Sequence, residues 1–186
     1  MLKKYQNKYR TQSTRLQHWD YSWNAAYFVT LCSKNKQACF GQVINEQMQL
    51  SSLGILADVL WFEIKNHAKN IELNAFVVMP NHLHGILILQ NETPDVETRH
   101  ALSLQKSKTL GQQRFQNQGK NSLSSIIGSY KSAVTKHAHR LGFDFSWQPR
   151  FYEHIIRNEK SYQYIENYIL ENPKKWSLDR FYIVNK

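Results

Sequence analysis

The stretch that decides the fold is Glu72-Leu-Asn-Ala-Phe-Val-Val-Met79, then Pro80-Asn81, then His82-Leu-His-Gly-Ile-Leu-Ile-Leu-Gln90. Its first arm is β-branched and aromatic, and Pro80-Asn81 breaks it. Its second arm alternates and then turns wholly apolar over residues 86–89. Alternation marks a half-buried strand, and an unbroken apolar run marks one buried on both faces. The segment is predicted as a hairpin of two long central strands.

Working outward, residues 26–33 read as another strand, rich in β-branched and aromatic side chains. Residues 40–50 read as a short hairpin around an Asn-Glu turn. Ser51-Ser52 caps a helix running to about Asn70, with Ile55, Leu56, Val59, Leu60, Phe62 and Ile64 at helical spacing. Downstream, Leu123 to Leu141 is a helix with Ile126, Ile127, Tyr130, Val134 and Ala138 along one side. Phe151 to Ile156 is a strand, and Lys160 to about Asn172 is a last helix stopped by Pro173. The order is strand, helix, strand, strand, helix, strand, helix. Its first six elements give an α+β fold: a ferredoxin-like split βαβ sandwich, an antiparallel sheet with helices on one face. The seventh is an extra C-terminal helix.

One domain suits 186 residues that are 41% hydrophobic. It is expected over 19–176, between a basic arm at 1–18 and a tail at 177–186. Residues 91–121 are rich in Gln, Asn, Ser, Thr and Lys, and read as a polar insertion. No apolar run is long enough for a bilayer, and the N-terminus shows no secretory signal. Cys32 and Cys39, the two cysteines, match no zinc or redox spacing. These features predict a cytoplasmic, reduced protein without a membrane partner.

Lys and Arg number 24 against 14 Asp and Glu, a net charge of +10, and aromatics reach 13%. Cations follow phosphates while rings stack on unpaired bases, so this composition favours single-stranded nucleic acid. Lys3, Lys4, Arg10 and Arg15 of the arm are candidate backbone contacts.

Three local patterns carry chemistry. His82 and His84 are two apart on a strand and project from one face, which makes a metal half-site. The plainer reading is a pair of hydrogen-bonded histidines. His137 and His139 have the same spacing on a helix, where two residues turn about 200° and the rings diverge. Second, Tyr168 and Asn172 are four apart on the last helix and share a face. An Asn oxygen can complete a site begun by two histidines, and a nearby cation favours a phenolate. Tyr168 as a half-buried helix residue is the plainer alternative, and Tyr164 and Tyr130 are its rivals. Third, Trp147-Gln-Pro-Arg-Phe-Tyr-Glu-His-Ile-Ile-Arg157 offers Arg150, His154 and Arg157 as DNA contacts, against an ordinary edge strand.

Together, Phe76-Val-Val-Met-Pro-Asn-His-Leu-His84, Trp147-Gln-Pro-Arg-Phe-Tyr-Glu-His154 and Tyr168-Ile-Leu-Glu-Asn-Pro173 resemble the REP-associated tyrosine transposases, from about Trp19 to Trp176. That family is a branch of the HUH single-tyrosine transposases. The resemblance implies that His82 and His84, around Leu83, hold a divalent ion, magnesium or manganese. Ligand chemistry alone favours manganese or zinc. It implies that Asn172 is the third ligand and that Tyr168 is the nucleophile on the extra helix. Tyr168 would attack single-stranded DNA beside a hairpin, forming a 5′-phosphotyrosine and freeing a 3′-hydroxyl. The chain would act as a monomer or a homodimer. The competing expectation is a catalytically idle hairpin-binding protein of the same fold.

Overall fold

The computed structural model describes residues 19–90 and 121–182, and the backbone of 4–5 and 8–9. The side chains of the basic arm and residues 91–120 of the expected insertion lie outside these. β1 (Lys4–Tyr5) and β2 (Lys8–Tyr9) pair with each other as a two-residue ribbon. β3 (Ala25–Cys32) begins the main sheet. The hairpin of β4 (Gly41–Ile44) and β5 (Gln47–Leu50) follows, turning through left-handed Asn45 and Glu46. Next come α1 (Ser52–Phe62), α2 (Ile64–His67), β6 (Ile71–Val78) and β7 (His82–Leu89). After residues 91–120 come α3 (Leu123–Arg140), β8 (Tyr152–Ile156) and α4 (Glu159–Glu171).

The four-stranded sheet has the order β6-β7-β3-β8, with every neighbouring pair antiparallel. This is the split βαβ arrangement expected from the sequence. One expectation is corrected. β7 is central, but its hairpin partner β6 is an edge strand. The reason is β3, which takes the whole second edge of β7, from Ala25 opposite Leu89 to Cys32 opposite His82. β6 keeps the half-exposed alternation of an edge, with a register shift between Leu73 and Phe76.

The period of two divides the sheet into unlike faces. Tyr27, Val29, Leu31, Leu83, Leu87 and Leu89 point to one face and pack under α1 and α3. Trp61 of α1 lies there, stacked on Phe76 with ring centroids 4.4 Å apart. Gly85 permits this: a Cβ at that position would overlap the Trp61 ring. The opposite face carries Phe28, Ile86 and Ile156 and packs under Ile169 of α4. Thr30, His82 and His84 share it, through the register that sets Thr30 opposite His84.

The helices start where short polar side chains cap them. Ser51 accepts from the Gly54 amide, Ser122 from Ser125 and Asn158 from Ser161. The helix expected to continue to Asn70 breaks at Glu63, where a turn separates α1 from α2. Its buried stripe is also rotated from the expected one. Leu53, Ala57, Trp61 and Ile64 face the core, whereas Ile55, Val59 and Phe62 are half exposed. Bulk decides this, since a stripe centred on Trp61 fills the space above Gly85. Both cysteines are free. No helix among the described residues is long and apolar enough to cross a membrane.

Candidate active site

The turn between β6 and β7 aims two imidazoles at one point. His82 and His84 are fully buried, and their Nε2 atoms are 3.0 Å apart. Each ring is held from behind. His82 Nδ1 is 2.8 Å from Asn81 Oδ1, and His84 Nδ1 is 2.9 Å from Thr30 Oγ1. Asn81 Nδ2 donates to the Phe181 carbonyl at 2.8 Å, which leaves its oxygen as an acceptor for His82. His82 therefore carries its proton on Nδ1 and presents a lone pair at Nε2. Burial is the main force holding both rings neutral. It takes His82 down to about 3, aided by Arg180 and Lys36. Burial, then the neighbouring His82, takes His84 well below its ordinary value.

α4 brings Tyr168 to this pair. Its hydroxyl is 3.2 Å from His84 Nε2 and donates to Asp179 Oδ2 at 3.1 Å. Burial, then the Asp179 charge, pushes this phenol up to about 12. One turn later, buried Asn172 donates from Nδ2 to the same Asp179 oxygen at 3.1 Å. Its Oδ1 is buried without a hydrogen-bond partner. The rivals fall away from this cluster. Tyr164 is 75% exposed, and Tyr130 is a core residue donating to the Ala57 carbonyl. His139 contacts the Phe145 carbonyl instead of sharing a ligand site with His137.

Asp179 escaped the sequence reading. It is the sole acid after Glu171 in a basic C-terminal stretch, and that isolation was the available signal. It follows a 3-10 turn (Trp176–Leu178), and its Oδ1 accepts from the Phe181 amide at 2.7 Å. Phe181 is buried against His82, with ring centroids 4.5 Å apart.

The donor set suits a divalent ion. Ligand atoms of His82, His84 and Asp179 lie within 4.8 Å of one another, and Asn172, bonded to Asp179 through Nδ2, keeps an unspent Oδ1. Two neutral imidazoles with one or two oxygens suit manganese or zinc, and the oxygens also suit magnesium. The other predicted contacts lie apart from this network. Arg150 is exposed at a left-handed turn, His154 is exposed on the edge strand β8, and Arg157 is exposed just beyond it. The side chains of Lys3, Lys4, Arg10 and Arg15 fall outside the described residues.

No protein-family profile matches the chain. An uncharacterised protein of Haemophilus influenzae is 39% identical over 173 residues, covering 92% of this chain and 93% of that one. A REP-associated tyrosine transposase of Escherichia coli K12 is 26% identical over 149 residues, 80% of this chain. The match spans 66% of that protein, just under two thirds of its length. The solved structure of a REP-associated tyrosine transposase bound to a REP hairpin superposes with a TM-score of 0.57 at 23% identity. It covers 91% of this chain and 77% of that one, and shares the fold.

The four-stranded sheet with its packed helices is the fold of that hairpin-bound transposase structure. The chain belongs to one family with the H. influenzae protein, and it is similar to the REP-associated tyrosine transposase of E. coli.

Proposed function

We propose that the chain nicks and rejoins single-stranded DNA beside hairpins, with Tyr168 as nucleophile. The observation that carries this reading is the Tyr168 hydroxyl, 3.2 Å from the Nε2 of a buried imidazole that is itself 3.0 Å from a second. Tyr168 Oη attacks the scissile phosphorus and the bond to the 3′-oxygen breaks. The 5′-phosphate stays on the tyrosine, and the departing oxygen takes a proton to become a 3′-hydroxyl. Asp179 Oδ2, already accepting from Tyr168, is placed to receive the phenolic proton. His82, His84 and Asp179, with Asn172, are the residues that would hold magnesium or manganese. When bound, such an ion supplies Lewis-acid charge at the phosphate and favours the phenolate. The phosphotyrosine conserves the energy of the broken bond, so a second 3′-hydroxyl can reverse the step without ATP. The reaction would belong to the cytoplasm, in a monomer or a homodimer.

A second reading has its own support. A phenol held near 12, with Phe181 packed against His82, also suits an idle hairpin binder. One experiment separates the two. A labelled hairpin oligonucleotide from DNA flanking the gene is mixed with protein and manganese and run on a denaturing gel. A covalent adduct is expected with the wild type and none with Tyr168→Phe. An adduct that survives in the variant overturns the assignment of Tyr168. Tight binding without any adduct, over several flanking hairpins, supports the idle binder.

A further inference from the structure

A cleft of about 980 Å³ opens beside the His82 end of the site. Its walls come from four separate parts of the chain: the 35–38 loop, the β4–β5 hairpin, the Pro80-Asn81 turn and the C-terminal stretch 173–182. Two of its residues belong to the site as well. Asn81 lines the cleft and fixes His82, and Trp176 lines it with its ring 5.9 Å from the His82 ring. The cleft and the imidazole pair therefore share a wall, formed by Asn81 and Trp176.

The lining has a definite chemistry. Trp176 and Tyr182 supply aromatic surface, packed edge to face at 5.4 Å. Asn35, Gln37 and Gln42 are exposed amides, each with both donors and an acceptor. Lys36 carries a cation at the inner end, its Nζ 4.9 Å from the Phe181 ring that packs on His82. Lys174, the other cation, is already bonded to Glu171. A simple anion would leave the flat aromatic surface unused. A nucleotide uses all three: ring for ring, amides for the base edge, ammonium for the phosphate.

We infer that this cleft is a pocket for an unpaired nucleobase of the bound strand, with Trp176 as its stacking platform and Lys36 on the adjoining phosphate. The inference rests on the proposed single-strand activity and assigns that site its base-dependent contacts. The base next to the scissile phosphate lies on Trp176, and the Asn35, Gln37 and Gln42 amides face its hydrogen-bonding edge.

The test needs no turnover. Binding of fluorescein-labelled dT10 and of an abasic ten-mer with the same backbone is measured by anisotropy, in chelator. The wild type is expected to bind dT10 about tenfold or more tighter, the size of at least one base–aromatic stack. Trp176→Ala should lower that ratio about tenfold, while Trp176→Phe keeps most of it. Lys36→Ala should weaken both oligonucleotides equally and reduce the slope of log affinity against log salt by about 0.7. Equal binding of dT10 and the abasic strand by the wild type overturns the pocket. So does a ratio that both Trp176 variants leave unchanged. The adduct assay fails separately. Base-dependent binding without an adduct removes the chemistry and keeps the pocket, and an adduct with base-independent binding does the reverse.

Discussion

One face of the sheet is packed almost wholly with apolar side chains, and the other buries polar groups. Under α1 and α3 the packing is Leu, Ile and Val around Trp61 and Tyr130, with the Tyr130 hydroxyl satisfied by Ala57. Under α4 the same strands bury Thr30, His82, His84 and Asn172. Leu83 and His84 are neighbours in sequence, yet they serve opposite purposes because the pleat sends them apart. The apolar face backs the strand that holds the two imidazoles edge to face, with ring centroids 4.5 Å apart. The polar face gives up packing energy to keep unspent donor and lone-pair atoms together.

The sharpest division comes from paired variants. Trp61→Ala should cost about 3–5 kcal/mol in urea unfolding, since it empties the space over Gly85. His84→Gln should cost under about 2 kcal/mol but reduce adduct formation roughly 10²–10³-fold. If His84→Gln unfolds the protein as Trp61→Ala does, the division of labour between the faces is wrong.

Acid provides a second test. Folded His82 stays neutral down to about 3, whereas an ordinary histidine takes its proton near 6.5. The unfolded chain therefore binds that proton first. The stability from this group is complete above pH 6.5 and is lost as pH falls toward 3. Urea midpoints of chelator-treated protein should fall through that window, and His82→Gln should flatten the fall. An unchanged slope in His82→Gln would remove His82 as the source of that fall.

The smallest expected effect belongs to Tyr130→Phe. It leaves the Ala57 carbonyl without its side-chain donor, a loss of about 1 kcal/mol. Adduct yield at a temperature where the protein is folded should match the wild type. A fall in yield would bring Tyr130 back as a participant.

Much of this arrangement was readable from local patterns. The sheet topology followed from element order, and the paired histidines followed from a period of two on a strand bounded by Pro80-Asn81. What escaped depends on three-dimensional partners. The edge position of β6 was set by β3, some forty residues upstream. The buried stripe of α1 was set by a glycine on another strand. Asp179 reaches the site only because the chain turns back after Pro173, and no helical or strand period announces such a turn. Thr30 looked like an ordinary strand residue until register placed it opposite His84.

Asn81 joins two things that seem unrelated. Its oxygen meets His82 and its nitrogen meets the Phe181 carbonyl, so one planar amide serves both. Rotating that amide to free either partner exposes the other. The seating of the C-terminal stretch and the readiness of the His82 lone pair are therefore terms in one equilibrium. Linkage then makes the effect mutual: occupancy at the imidazoles must steady residues 179–182 by the same factor that their seating strengthens occupancy. Slower hydrogen exchange at the Phe181 amide, which Asp179 already holds, would be the remote reporter of an event at the histidines.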